Sequence, residues 1–193
     1  MVVFLLFLLA GLSGNLTELV PSESTLDSNT AFYEGRDTNY ILSPPRGFGM
    51  EVETAQAAGY SFAFVPDKQS FDSADILIGA TIYNLASTEN SVTFETVMTE
   101  DTARLRAHYG EHLLIWPVDS MMNFRGDIVP TFYFNDPQRF IPTVLVSYYD
   151  GGTEAIILEL NISDRTNRVG AERVFETCLN YFKVLKRKEV AEK

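Results

Sequence analysis

The chain is predicted to be an α+β protein, an antiparallel β-sheet covered by helices in an α/β/α sandwich. Three observations carry that expectation. Short apolar runs alternating with period two recur between Phe48 and Ile162. A glycine-rich turn, Asp150-Gly151-Gly152, joins two β-rich segments and marks an antiparallel hairpin. Two stretches switch to helical spacing, one near 92–109 and one near 167–187, so helices interrupt and close the run of strands.

The N-terminus reads as a leader. Val2 to Leu9 is an unbroken apolar run followed by the small residues Ala10, Gly11, Ser13 and Gly14. That order matches the apolar and cleavage regions of a secretory signal, residues 1–14. The run is shorter than the roughly 20 residues a membrane-spanning helix needs, so no stable span is expected after cleavage. No Lys or Arg precedes it. The mature protein is therefore expected to be exported, periplasmic or secreted. Residues 15–43, rich in Ser, Thr, Asn and Glu, read as a polar extended arm that closes at Ser43-Pro44-Pro45-Arg46-Gly47. A single domain follows over 44–187, with a charged tail at 188–193.

Within the domain, Met50, Val52 and Thr54 share a strand face, and Tyr60 to Val65 is an alternating strand that stops at Pro66-Asp67. Ile76 to Tyr83 reads as a more buried strand. In 92–109, Phe94, Val97, Met98, Leu105 and Tyr109 fit one helix face, and Gly110 supplies the stop. Leu113–Val118 and Thr131–Phe134 are short strands. The hairpin pairs Thr143–Tyr149 with Glu154–Ile162; Ile156, Leu158, Leu160 and Ile162 face the core, while Glu159 and Asn161 are expected on a wet face. Ser163-Asp164 opens the closing helix. Its row Ala171, Val174, Phe175, Cys178, Phe182 and Leu185 is expected to cover the hairpin, which makes Cys178 a core thiol.

This element order, with Gly59-Tyr60-Ser61-Phe62 running into Pro66 before the closing hairpin and helix, resembles the PsbP/Mog1/DcrB-like group of small α/β/α sandwich proteins. The resemblance spans roughly residues 48–187. Where members often carry a Trp after that Pro, this chain has Asp67-Lys68-Gln69-Ser70-Phe71. It implies a non-catalytic accessory or binding protein and transfers no catalytic residue.

Charge and motifs narrow the function from the other side. The net charge is −11, with five basic residues against two acids in 183–193, which leaves +3 there and −14 elsewhere. An acidic body lacks the clustered Lys and Arg that phosphate-backbone binding needs, so nucleic acid is not an expected partner. Lys186-Arg187-Lys188 suits a helix C-terminus. With 46% hydrophobic residues the chain has material for a real core. No G-x-S-x-G elbow lies in the mature chain, and neither a P-loop, a dinucleotide-binding G-x-G-x-x-G nor an EF-hand loop occurs. Cofactors are not expected. Carboxylate pairs such as Asp72 with Asp75, or Glu51 with Glu53, read as solvated. Sequons stand at Asn15-Leu16-Thr17 and Asn161-Ile162-Ser163.

Two candidate sites remain. His108-Tyr109-Gly110-Glu111-His112 matches H-x-x-E-H, in which a continuous helix sets both imidazoles on one metal and the Glu acts as base. Gly110 counts against that helix. Aromatics also concentrate in 116–149, and Trp116, Tyr133, Tyr148 and Tyr149 are candidates for an aromatic groove or interface, since Tyr and Trp join apolar area to a polar tip. The competing reading is a thick aromatic core. The leading functional expectation is an exported, non-catalytic binding or accessory protein, its partner another envelope or extracellular protein or a small ligand. The alternative is a small exported metal-dependent hydrolase using His108, Glu111 and His112.

Overall fold

The computed structural model describes residues 30–34, 38–85, 92–118, 121–123, 126 and 128–186. The expected leader, the Asn15 sequon, the first half of the arm and the 188–193 tail lie outside the described residues. Two antiparallel sheets form the body. The larger has seven strands: β3 (Phe48–Glu51), β4 (Phe62–Pro66), β5 (Ile76–Asn84), β6 (Leu114–Pro117), β7 (Thr131–Asn135), β8 (Thr143–Asp150) and β9 (Glu154–Ile162). Their spatial order is β3-β4-β5-β9-β8-β7-β6, which puts the hairpin strand β9 at the centre and β6 at an edge. The smaller sheet joins β1 (Ala31–Glu34), β2 (Thr38–Leu42) and β10 (Lys183–Lys186) in the order β1-β2-β10.

Among the described residues, three helices cover the large sheet: α1 (Glu53–Ala57), α2 (Phe94–Tyr109) and α3 (Arg168–Tyr181). Side chains alternate across a strand, so each face has its own core. Ile156, Leu158, Leu160 and Ile162 of β9 pack with Ala171, Phe175, Cys178 and Phe182, as expected. The small sheet extends this cover through Tyr40 and Leu42. The opposite face, with Val146, Tyr148, Ala155 and Ile157, lies under Val97 and Leu105 of α2. Nearer β4, Ala55 of α1 packs on Ala63, Val65 and Leu77. The result is the α/β/α sandwich the sequence predicts.

Four expectations need correction. The second half of the polar arm is not extended coil; 31–34 and 38–42 are β1 and β2, because Tyr40 and Leu42 are buried against the α3-side core. Thr54 belongs to α1, not to a strand. The closing helix stops at Tyr181 rather than near 187: the chain becomes extended at Phe182 and pairs as β10 with β2, so Lys186 sits in a strand and not at a helix C-terminus. Leu185 is likewise a strand residue. Finally, the face of β9 carrying Glu159 and Asn161 is not wet. All nine residues of β9 are buried, because α2 crosses over the face the alternation left polar.

Local chemistry explains the joints. Thr93 caps α2 by accepting from the Thr96 N–H at 3.2 Å. Gly110 ends the helix at φ 93, a backbone region that L side chains rarely adopt. At the hairpin tip, Asp150 Oδ1 accepts from the Gly152 N–H at 2.8 Å. A Cβ on Gly151 would lie 1.7 Å from the Tyr40 hydroxyl oxygen, so glycine there is what lets the small sheet dock. The docked hydroxyl donates to Glu154 Oε2 at 3.2 Å.

Candidate functional site

The register of β6 on β7 sets Trp116 opposite Tyr133. Their ring centroids are 4.9 Å apart, and the Arg168 guanidinium carbon lies 4.0 Å from the centroid of the Tyr133 ring. Arg168, the first residue of α3, is held by Glu172 Oε1 at 3.1 Å and by Asn135 Oδ1 at 3.4 Å. Indole and phenol meet at a tilt of 33°, and the guanidinium lies against the phenol, whose ring quadrupole attracts the cation. Trp116 is 41% exposed and its same-face neighbour on the edge strand, Leu114, 48%. Single exposed apolar residues are ordinary, but two of them on an edge strand backed by a cation–π pair form a contact-ready face.

The other two aromatic candidates do not join this group. Tyr148 is fully buried on the α2 side and donates to Asp101 Oδ2 at 2.7 Å. Tyr149 points to the α3 side, where its ring meets Phe182 edge-on at 4.5 Å and its hydroxyl accepts from Asn123 Nδ2 at 3.3 Å. The aromatic segment therefore divides: Tyr148 is core, Tyr133 and Tyr149 are half-buried against the α3-side core, and Trp116 is on the surface.

His108 lies in the last turn of α2, its ring 4.7 Å from that of Tyr109. Gly110 turns the chain before Glu111 and His112, and all three candidate ligands are exposed. Among the described residues, no group of three or more His, Cys, Asp or Glu side chains is placed to hold a metal ion. A continuous helix would have set the two rings one turn apart; the break at Gly110 removes that alignment.

Sequence reasoning missed a buried polar cluster between α2 and the sheet. Arg104 donates to Glu159 Oε1 at 3.0 Å and, through two nitrogens, to Asp101 Oδ1 at 2.6 and 3.0 Å. Tyr60 donates to Glu159 Oε2 at 3.0 Å, and Tyr148 takes Asp101 Oδ2. Asn161 Nδ2 donates to the Tyr60 hydroxyl at 3.3 Å, and Thr143 to Asn161 Oδ1 at 2.7 Å. Burial, reinforced by the Asp101 carboxylate, pushes the Glu159 carboxyl above the usual glutamate range; burial and then Glu159 push the Tyr60 hydroxyl well up. Gly79 faces Glu159 across the β5–β9 ladder, and a Cβ on it would come within 2.4 Å of the Tyr60 ring. All four carboxylate oxygens of Asp101 and Glu159 accept from donors of the chain itself. Such a cluster is satisfied internally and clamps α2 to the sheet. The one legible sign of it was Asp101 and Arg104 at i,i+3, beside Glu159 in the middle of an apolar strand. Asn161 is committed to this network and 7% exposed, which closes its sequon to modification in the folded protein.

No family model matches the chain, and no curated protein does. Among solved structures the chain is similar to the solution structure of cyanobacterial PsbP (CyanoP) from Synechocystis sp. PCC 6803. The two are 12% identical, the match covers 86% of this chain and 98% of that one, and the TM-score is 0.48.

Proposed function

We propose that this chain is an exported, non-catalytic binding or accessory protein that engages another envelope or extracellular protein, or a small ligand, through the face made by Leu114, Trp116, Tyr133 and Arg168. The observation that carries this reading is the exposed Trp116, its ring 4.9 Å from that of Tyr133, with the Arg168 guanidinium against the same Tyr133 ring. Trp, Tyr and Arg are the residues that anchor interfaces: the two aromatics bury large rigid area at low entropic cost, and Arg adds a planar charge that stacks and hydrogen-bonds. Support also comes from the chemistry of the other polar residues: the buried carboxylates are occupied by internal donors, and His108, Glu111 and His112 stand on either side of a helix break. Among the described residues, no helix is long and apolar enough to cross a membrane.

A photo-crosslinking residue placed at Trp116 in the native host tests the reading. A discrete adduct is expected from position 116 and none from Lys68, an exposed position on the far strand β4's turn. Trp116→Ala should abolish co-purification of the captured molecule while leaving the melting temperature unchanged. Equal adducts from both positions, or none from 116, would sink it.

A further inference from the structure

The hydrogen-bond parity of the β6–β7 ladder fixes what β6 offers on its outer side. β6 ends the strand order, so one side of it has no neighbouring strand. Just past its end, the Val118 N–H donates to the Thr131 carbonyl oxygen at 2.8 Å. Main-chain groups alternate sides along an antiparallel strand. Trp116 and Leu114 therefore also turn theirs to β7, across from Tyr133 and Asn135, and Ile115 and Pro117 turn theirs outward. Pro117 has no N–H, so this edge presents a single donor, the Ile115 N–H, and two acceptors, the Ile115 and Pro117 carbonyl oxygens. Leu114, Trp116 and Pro117 are all exposed, which leaves the edge open to solvent. Leu114 and Trp116 flank Ile115 and share the sheet face that carries Tyr133.

A second copy of the chain fits this edge poorly. Two-fold antiparallel pairing of β6 with itself makes at most two hydrogen bonds, because each copy brings one outward N–H. The apolar area, two side chains each about half exposed, is also small beside the roughly 800 Å² per partner that a stable interface between folded proteins needs. A foreign strand brings its own donors and satisfies all three outward groups. We propose, and the proposal rests on the edge-face reading above, that the partner is a protein that lays an extended segment along β6 as an added antiparallel strand. Its central residue exchanges both main-chain bonds with Ile115, and the residue two positions along donates to the Pro117 carbonyl oxygen. The neighbours of the central residue lie against Trp116 and Leu114, so the segment reads apolar, any residue but proline, apolar. Against a chain of net charge −11, basic residues flanking that triplet speed its capture.

The probe is a soluble peptide with a central valine–threonine–valine between paired lysines, and the readout is the Ile115 amide signal of the purified protein in ¹H–¹⁵N NMR. The peptide should move that signal along a saturable curve and slow its hydrogen exchange at least about tenfold at saturation. The same peptide N-methylated at the threonine keeps its side chains and loses the N–H that the Ile115 carbonyl accepts. It should bind at least about tenfold more weakly. Trp116→Ala, its fold checked by thermal melting, should weaken the parent peptide as well. No saturation, equal binding of the methylated peptide, or an Ile115 amide left unprotected at saturation would overturn the proposal. So would protection of Ile115 that grows with protein concentration alone, since that means pairing with a second copy. A crosslinked adduct from position 116 together with an unprotected Ile115 sinks the strand pairing and leaves the edge-face reading standing. Protection of Ile115 by the peptide with no adduct from 116 in the host counts against the edge-face reading alone.

Discussion

Glu159 shows how much a single side chain can change the reading of a strand. On a solvated face its removal would cost within about 0.5 kcal/mol. Buried and paired, Glu159→Ala removes the acceptor of Tyr60 and one of the two carboxylates that hold Arg104, Asp101 keeping the other, so a loss of about 1–3 kcal/mol is expected in urea melts, with Glu159→Gln markedly milder. The pH dependence has a definite sign. Because the native carboxyl titrates above its unfolded value, the folded state binds more protons between the two, and stability falls as pH rises through that window. The stabilisation is complete below the unfolded value, near pH ~4.3, and is lost as pH passes the raised native one. Glu159→Gln should remove this downward slope from melts taken across pH 4 to 8; an identical slope in the variant would contradict the assignment. Cys178 lies at the same scale. Fully buried, its thiol is pushed up to about 12, so a thiol reagent should label native protein far more slowly than denatured protein.

Among the elements, the central strand and α3 carry the α3-side core. Leu158 and Phe182 are 2% and 0% exposed, and truncating either to Ala should cost roughly 2–5 kcal/mol. The small sheet docks through Tyr40 at the hairpin tip. Gly151→Ala should therefore destabilise by about 1–3 kcal/mol through overpacking, with Tyr40→Phe in the same chain restoring part of it. A double-mutant cycle of melts measures that coupling. If Gly151→Ala is silent in both backgrounds, the small sheet does not dock as described.

Over the whole molecule, helices on both faces turn a seven-stranded sheet into a closed sandwich whose polar clamp is internal, and they leave the β6 edge as the outward aromatic face. The proposed export is tested at this scale: protein purified from its native host is expected to begin near residue 15, and N-terminal sequencing that finds an intact Met1 would refute it.

Strand alternation, the Asp150-Gly151-Gly152 turn, the stop at Gly110 and the Ile156–Ile162 row were legible in the chain because local spacing and backbone preference determine them; so was the α+β class they add up to. Trp116 and Tyr133 were named from composition alone, along with Tyr148, which is core, and Tyr149, which is half-buried against Phe182. What only the tertiary structure decided was partnership across distance. Whether a polar strand face meets water or a second layer depends on where α2 lands, and no period in β9 encodes that. Phe182 fits a helical row, yet the chain extends there because β2 offers an edge to pair with. The cluster of Trp116, Tyr133 and Arg168 unites three segments far apart in sequence, through a strand register and the position of a helix start. Such contacts are set by the packing of whole elements, a long-range energy that no local window of residues contains.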